Sequence, residues 1–139
     1  MSLYAAYKTD SSRENQGARI VKGSNADGTE IAFLVGRAGK SNTAYKLASE
    51  RAFKSHRAAI KGGNLPEAVA ENLLLDLFCG HVLKGWENVY AEDGSPLTFN
   101  EINAKKLMTD LPDLYQELSE AANEMANFLD SNREASAKN

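Results

Sequence analysis

The sequence holds a single cysteine, Cys79, and two histidines, His56 and His81. One cysteine excludes an internal disulfide, and its place in an apolar helical stretch reads as a buried, inert thiol rather than a redox centre. Cys79 and His81 stand two residues apart on a predicted helix and point in different directions, so with only His56 to add, no tetrahedral metal set assembles. His56 itself falls on an apolar helix face, where a hydrogen-bonded core histidine is the reading. No serine or cysteine has an evident histidine partner, which leaves nucleophilic catalysis without a base. Long apolar runs are missing too. None approaches the roughly 18 residues of a membrane span, and Met1-Ser2-Leu3-Tyr4 lacks the basic start and apolar core of a secretory signal. The expectation is a cytosolic protein with no membrane partner.

What is present is 139 residues, 42% hydrophobic and 25% charged, enough for one compact domain. A chain of this size buries roughly two thirds of the surface its unfolded form exposes. The net charge of -3 hides an uneven distribution. Lys40, Lys46, Arg51, Lys54, Arg57 and Lys61 face only Glu50 within one segment, and the remainder is correspondingly acidic. Such a layout suits a solvated face, a basic surface for nucleic acid, or contact between copies in which Lys46, Lys54, Arg57 and Lys61 form a charged self-association surface.

The periodicity predicts a mainly α fold with a small N-terminal β-hairpin (α+β), about four helices in a compact helical domain. Residues 1–17 are polar and aperiodic and read as a flexible arm. β-Branched runs on both sides of Asp27-Gly28 predict a hairpin over 18–37, since Gly28 tolerates the positive φ that closes the turn. Two strands alone are marginal in water, so the hairpin needs a helix or another copy to pack on. Ser41 is the candidate cap of a helix over about 42–61, which carries Tyr45, Ala48, Ala52, Phe53, His56, Ala59 and Ile60 on one face and cations on the other. Asn64 and Pro66 open a second helix over about 66–84, apolar around most of its circumference and read as the central buried one, with Gly85 ending it.

Thr98-Phe99-Asn100-Glu101 fits a capping box for a third helix over 99–108. A fourth, over 112–129, repeats Leu114, Leu118, Ala121, Met125 and Phe128 in steps of four and three, with Leu129 beside them and carboxylates on the opposite arc. That face must be buried in the domain or on a partner. Residues 130–139 are small and polar, and a disordered tail is expected there.

Several motifs tempt and fail. Gly39-Lys40-Ser41 between a strand and a helix imitates the end of a phosphate-binding loop, but the first glycine of that motif is replaced by Leu34 inside a predicted strand. Leu73-Leu74-Leu75-Asp76 imitates the strand and aspartate of nucleotide hydrolases in a helical context. Asp93-Gly94-Ser95 lacks the oxygen ligands of a calcium loop. The carboxylates of the last helix line its solvent face rather than a cleft, so no paired acid and base is indicated. The expectation is a chain without enzymatic activity, cofactor or metal. Trp86, Tyr90 and Phe99, clustered around a turn, form either a satellite core or a binding surface, since aromatic residues are favoured in interface hot spots.

Trp86-Glu87-Asn88-Val89, the turn at Asp93-Gly94, Pro96-Leu97-Thr98-Phe99, Asn103-Ala104, Leu107, Leu111-Pro112-Asp113-Leu114, Ala122-Asn123 and Asn127-Phe128-Leu129 together resemble, in order and spacing, the tail assembly chaperones of bacteriophages with long flexible tails. The resemblance spans about residues 18–129. It departs from the pattern at Lys84-Gly85, where an acidic residue is common, and at the extra Tyr90-Ala91 before the turn. It implies a protein of the host bacterial cytoplasm, absent from the mature virion, that holds the tape measure protein soluble while tail tube protein assembles around it. It also implies self-association, and a longer frameshifted form for which Ala137-Lys138-Asn139 is compatible with an A-rich slippery site. A helical tape measure exposes apolar stripes, and Trp86, Tyr90, Phe99, Leu114, Leu118, Met125, Phe128 and Leu129 are the candidate partner contacts. The alternative is a small nucleic-acid-binding regulator using the basic helix 42–61, against which the overall acidity and the absence of a helix-turn-helix argue.

Overall fold

The computed structural model describes residues 2–130. Strands β1 (Ala18–Ser24) and β2 (Glu30–Val35) pair antiparallel, with Ala18 opposite Val35 and Ile20 opposite Phe33. Gly28 takes φ 88° in the connecting turn, and the Asp27 carboxylate accepts from the amide and the hydroxyl of Thr29. A third strand, β3 (Leu83–Glu87), pairs antiparallel with β2 and sets Trp86 opposite Phe33. The sheet order is β1-β2-β3.

Around this sheet, among the described residues, stand seven α-helices: α1 (Leu3–Tyr7), α2 (Ser11–Gln16), α3 (Thr43–Ser55), α4 (Arg57–Lys61), α5 (Glu67–Leu77), α6 (Glu101–Asp110) and α7 (Pro112–Asn123). The expectation of about four helices and a lone hairpin is therefore corrected to a mixed α+β fold built on a three-stranded antiparallel sheet. The third strand answers the physical problem that two strands cannot bury enough apolar surface alone.

Each difference from the sequence expectation has a local cause. The helix expected over 66–84 stops at Leu77, widens into a π-helical turn over Phe78–Val82 and becomes β3 at Leu83, whose backbone is extended at φ -73°, ψ 119°. Gly85 thus lies inside a strand rather than ending a helix. The helix expected over 42–61 kinks at His56, where ψ is 14°. The last helix ends at Asn123, because Glu124 is extended (φ -89°, ψ 109°) and Asn127 donates its side-chain amide back to the Ala121 carbonyl at 3.0 Å. A 3-10 turn over Met125–Phe128 then drives Phe128 fully into the interior. The third helix is capped by Asn100, which accepts from Asn103 N–H at 2.8 Å, rather than by Thr98.

The segment expected as a flexible arm is pinned at several points. Asp10 caps α2, its amide donates to Phe128 O at 2.7 Å, the Asp130 amide donates to Lys8 O at 2.8 Å, and Arg13 donates to Leu129 O at 3.0 Å. Polar residues that read as solvated serve here as caps and clamps. Of the tail expected over 130–139, only Asp130 lies within the described residues.

The core gathers Phe33 and Val35 of β2, Phe78, Cys79 and Val82 of the π turn, Leu83, Ala104 and Met108 of α6, and Leu118 and Ala122 of α7. Each large side chain buried there contributes roughly 1.5–3 kcal/mol. The centre is the sheet, the π turn and α7. It is not the second predicted helix, since α5 buries only Leu77 and leaves Leu74 56% exposed.

One polar residue ties the outer helices to this core. Asn42, rather than Ser41, caps α3: it is fully buried, its Oδ1 accepts from Tyr45 N–H at 3.4 Å, and its Nδ2 donates to His81 O at 2.9 Å. Gly36 makes room for it, because a Cβ there would lie 2.9 Å from Asn42 Nδ2 and 3.0 Å from Glu14 O. Asn42→Ala should lower the unfolding free energy by about 1–3 kcal/mol, the cost of a lost cap plus an orphaned buried carbonyl. Urea unfolding should show a lower midpoint at unchanged slope. An unshifted midpoint would mean that the cap and the His81 bond contribute nothing.

Candidate functional site

Where β3 runs out at Glu87, the chain loops through Asn88–Pro96 and returns to α6, leaving concave ground between the sheet and the α6–α7 corner. One cleft there has a volume of about 570 Å³ and is lined by Ile31 and Phe33 of β2, Val89 and Tyr90 of the loop, Leu107 of α6, and Leu111, Pro112 and Leu114 around the corner. A second, of about 610 Å³, adjoins it and shares Tyr90, Leu107, Asp110 and Leu111. The shared wall is the centre of the site. Tyr90 is 42% and Leu111 46% exposed, so two large apolar side chains stand wet at the mouth.

The rim is polar and largely self-satisfied. Lys106 pairs with Asp110 at 2.9 Å, and that hydrogen bond raises the lysine above its ordinary range. Lys22, from β1, pairs with Glu117 of α7. Asp93 caps its own turn by accepting from the Ser95 amide and hydroxyl, bonds that lower its carboxyl below the usual range. The two lysines are neutralised by their partners, Asp113 and Glu92 add carboxylates to the lining, and the groups converge on no common point. Such a site can take up apolar surface behind a charged border, the general anatomy of a protein-binding patch.

The sequence-predicted contacts separate into three groups. Tyr90 and Leu114 line the cleft. Trp86 and Phe99 stand behind it as a half-buried aromatic stack: the Trp86 indole is edge-on to Phe99 at 4.9 Å and to Phe33 at 6.2 Å, and its Nε1 donates to Leu97 O at 2.8 Å. Leu118 and Phe128 are fully buried, while Met125 and Leu129 are half-buried, Leu129 in a β-bridge with Thr9. Leu107 and Leu111 were not singled out from the sequence as contacts. Their signal was Leu111-Pro112, a helix junction that forces an apolar side chain to a corner. Lys46, Lys54, Arg57 and Lys61 are all exposed on α3 and α4, away from the cleft.

Elsewhere the tempting motifs are occupied by structural work. The Ser41 hydroxyl bonds the Glu14 carboxylate rather than facing an open loop. Burial of the Cys79 thiol pushes its pKa up to about 12, so it stays protonated and unreactive at neutral pH. Among the described residues, no three of His, Cys, Asp and Glu are placed to hold a metal ion, and no helix is long and apolar enough to cross a membrane.

The cleft is apolar, and among the described residues its polar rim converges on no common point. Residues 40–139 match the YdaY prophage protein family, which covers more than half of the chain and places it in that family. It is a phage-related protein. No curated protein and no solved structure matches it.

Proposed function

We propose that this protein is a non-enzymatic tail assembly chaperone of a prophage. In this reading it works in the host cytoplasm, binds the tape measure protein through apolar surface, keeps it soluble, self-associates, and helps recruit tail tube protein during tail morphogenesis. The observation that carries the reading is the open apolar cleft around Tyr90, Leu107 and Leu111. It is bounded by charged residues, among them the Lys106–Asp110 pair, and suited to the stripe of a client helix, as in groove recognition of amphipathic helices. Membership of a prophage family and the ordered likeness of residues 18–129 to tail assembly chaperones support the same direction.

The test is co-purification of tape measure protein with the chain. Tyr90→Asp combined with Leu111→Asp puts two charges at the cleft mouth without touching the core and should weaken the complex roughly 30-fold, the scale of one lost hot spot. Phe128→Asp is unsuitable for this purpose, because Phe128 is fully buried and its loss would unfold the domain. A folded Tyr90→Asp/Leu111→Asp chain that retains the client at full strength would rule out the cleft. An unaltered chain that captures no tape measure protein would rule out the chaperone reading.

A further inference from the structure

We propose that the helical hairpin formed by α3–α4 and α5 is a second docking surface, and that its occupant is an amphipathic helix bearing carboxylates, supplied by a partner protein. The proposal shares with the chaperone reading the premise that the chain works by binding, and it is independent of the cleft.

The hairpin has no interior of its own. From Thr43 to Asp76 not one residue is buried, and Leu47, Phe53, Ile60 and Leu74 remain 48%, 54%, 41% and 56% exposed. Two short helices packed this thinly are marginal without further cover. Tyr45, Ala48, Ala52, His56 and Ala59 are half-buried along one arc. Beside that arc runs an exposed row, Lys46, Glu50, Phe53, Arg57 and Ile60, in steps of four, three, four and three. Phe53 and Ile60 are the apolar members of this row and lie on either side of the kink at His56.

Charge then selects the occupant. Lys46, Arg51, Lys54, Arg57 and Lys61 take part in none of the ion pairs among the described residues, which engage other lysines and arginines. Unpaired cations around the exposed Phe53 and Ile60 are complemented by a helix whose apolar row meets those two side chains and whose flanking carboxylates meet the cations. Nucleic acid fits less well, since the exposed Phe53 and Ile60 offer nothing to phosphate and Glu50 repels it. A second copy fits less well too. The acidic arc of α7, Asp113, Glu117, Glu120 and Glu124, carries no apolar side chain to cover Phe53.

The experiment uses the full chain and a fluorescent Leu/Glu amphipathic peptide of about three heptads, with its Leu/Lys counterpart and a duplex DNA of about 20 base pairs as the other arms. The Leu/Glu peptide should bind and the Leu/Lys peptide should not. Phe53→Asp, or Arg57→Glu with Lys61→Glu, should weaken binding by at least about tenfold while leaving the urea midpoint unchanged, because these side chains are exposed. Equal binding of both peptides, no binding of the acidic one, or full binding by Phe53→Asp would overturn the proposal. Displacement of the peptide by DNA would assign the cations to phosphate instead, and a concentration-dependent mass abolished by Arg57→Glu would assign the face to a second copy. Tape measure capture lost in Tyr90→Asp/Leu111→Asp but intact in Phe53→Asp chains that no longer bind peptide confines the hairpin to another partner. Peptide binding by a chain that captures no tape measure protein removes the chaperone reading alone.

Discussion

Phe33→Ala should lower the unfolding free energy by about 3–5 kcal/mol, the range for truncating a buried phenylalanine that leaves a cavity behind. Phe33 sits on the central strand with 2% of its surface exposed, paired in register with Ile20 on one side and Trp86 on the other. Its ring meets the Trp86 indole edge-on at 6.2 Å and 78°, a geometry that adds to simple burial. It also lines the cleft between the sheet and the α6–α7 corner. The chain has one tryptophan and it touches the mutated ring, so Trp86 fluorescence in a urea titration reads the loss directly. A loss under about 1 kcal/mol would show that β2 is not packed as described.

The parts of this fold that announce themselves in sequence are those whose signal is local. The turn at Asp27-Gly28 is one, because the requirement for positive φ and an Asx acceptor is met by two adjacent residues. The stripe of Leu114, Leu118 and Ala121 is another, because polar and apolar positions on α7 separate cleanly. What stayed hidden was set by tertiary context. Strand β3 follows α5 directly through the π turn at Phe78–Val82, where Gly80 is the sole breaker and no proline or loop residue separates helix from strand. The stripe itself misled at its far end, since Met125 and Phe128 keep helical spacing while Glu124 has already left the helix. At the candidate site the aromatic residues Trp86, Tyr90 and Phe99 drew notice by type. Only the fold separates the hydrogen-bonded stack of Trp86 and Phe99 from Tyr90 at the mouth. The N-terminal segment carries no local signal of order because its contacts, to Phe128 and Leu129, lie more than a hundred residues away.

That N-terminal clamp carries the second large effect. Glu14 is only 4% exposed, yet it is an ion: Arg37 Nη1 donates to it at 2.9 Å, Thr9 Oγ1 donates at 3.0 Å, and Ser41 adds a third bond. Burial by itself pushes the carboxyl up, but the bonds from Ser41, Arg37 and Thr9 and the nearby guanidinium charge outweigh it and hold Glu14 below its ordinary value of 4.5. A carboxyl whose folded pKa is depressed stabilises the fold above its unfolded pKa, and that contribution is lost as pH falls through the folded pKa. Acid unfolding should therefore begin at this clamp below about pH 4.5.

Arg37→Ala leaves the buried carboxylate without its counter-ion and should cost about 3 kcal/mol at neutral pH. Glu14→Gln keeps shape and hydrogen bonding while removing the charge, so it should cost less and flatten the acid limb of the stability profile. The double variant Arg37→Ala/Glu14→Gln should recover part of the loss caused by Arg37→Ala, because no unpaired charge remains inside. Amide exchange along Lys8–Gly17 should quicken in Arg37→Ala before the sheet is affected, since Arg37 N–H also donates to Glu14 O at 2.9 Å and fixes α2 against the end of β2. Strict additivity of the two single losses, with an unchanged acid limb in Glu14→Gln, would show that the pair neither couples nor holds α2 in place.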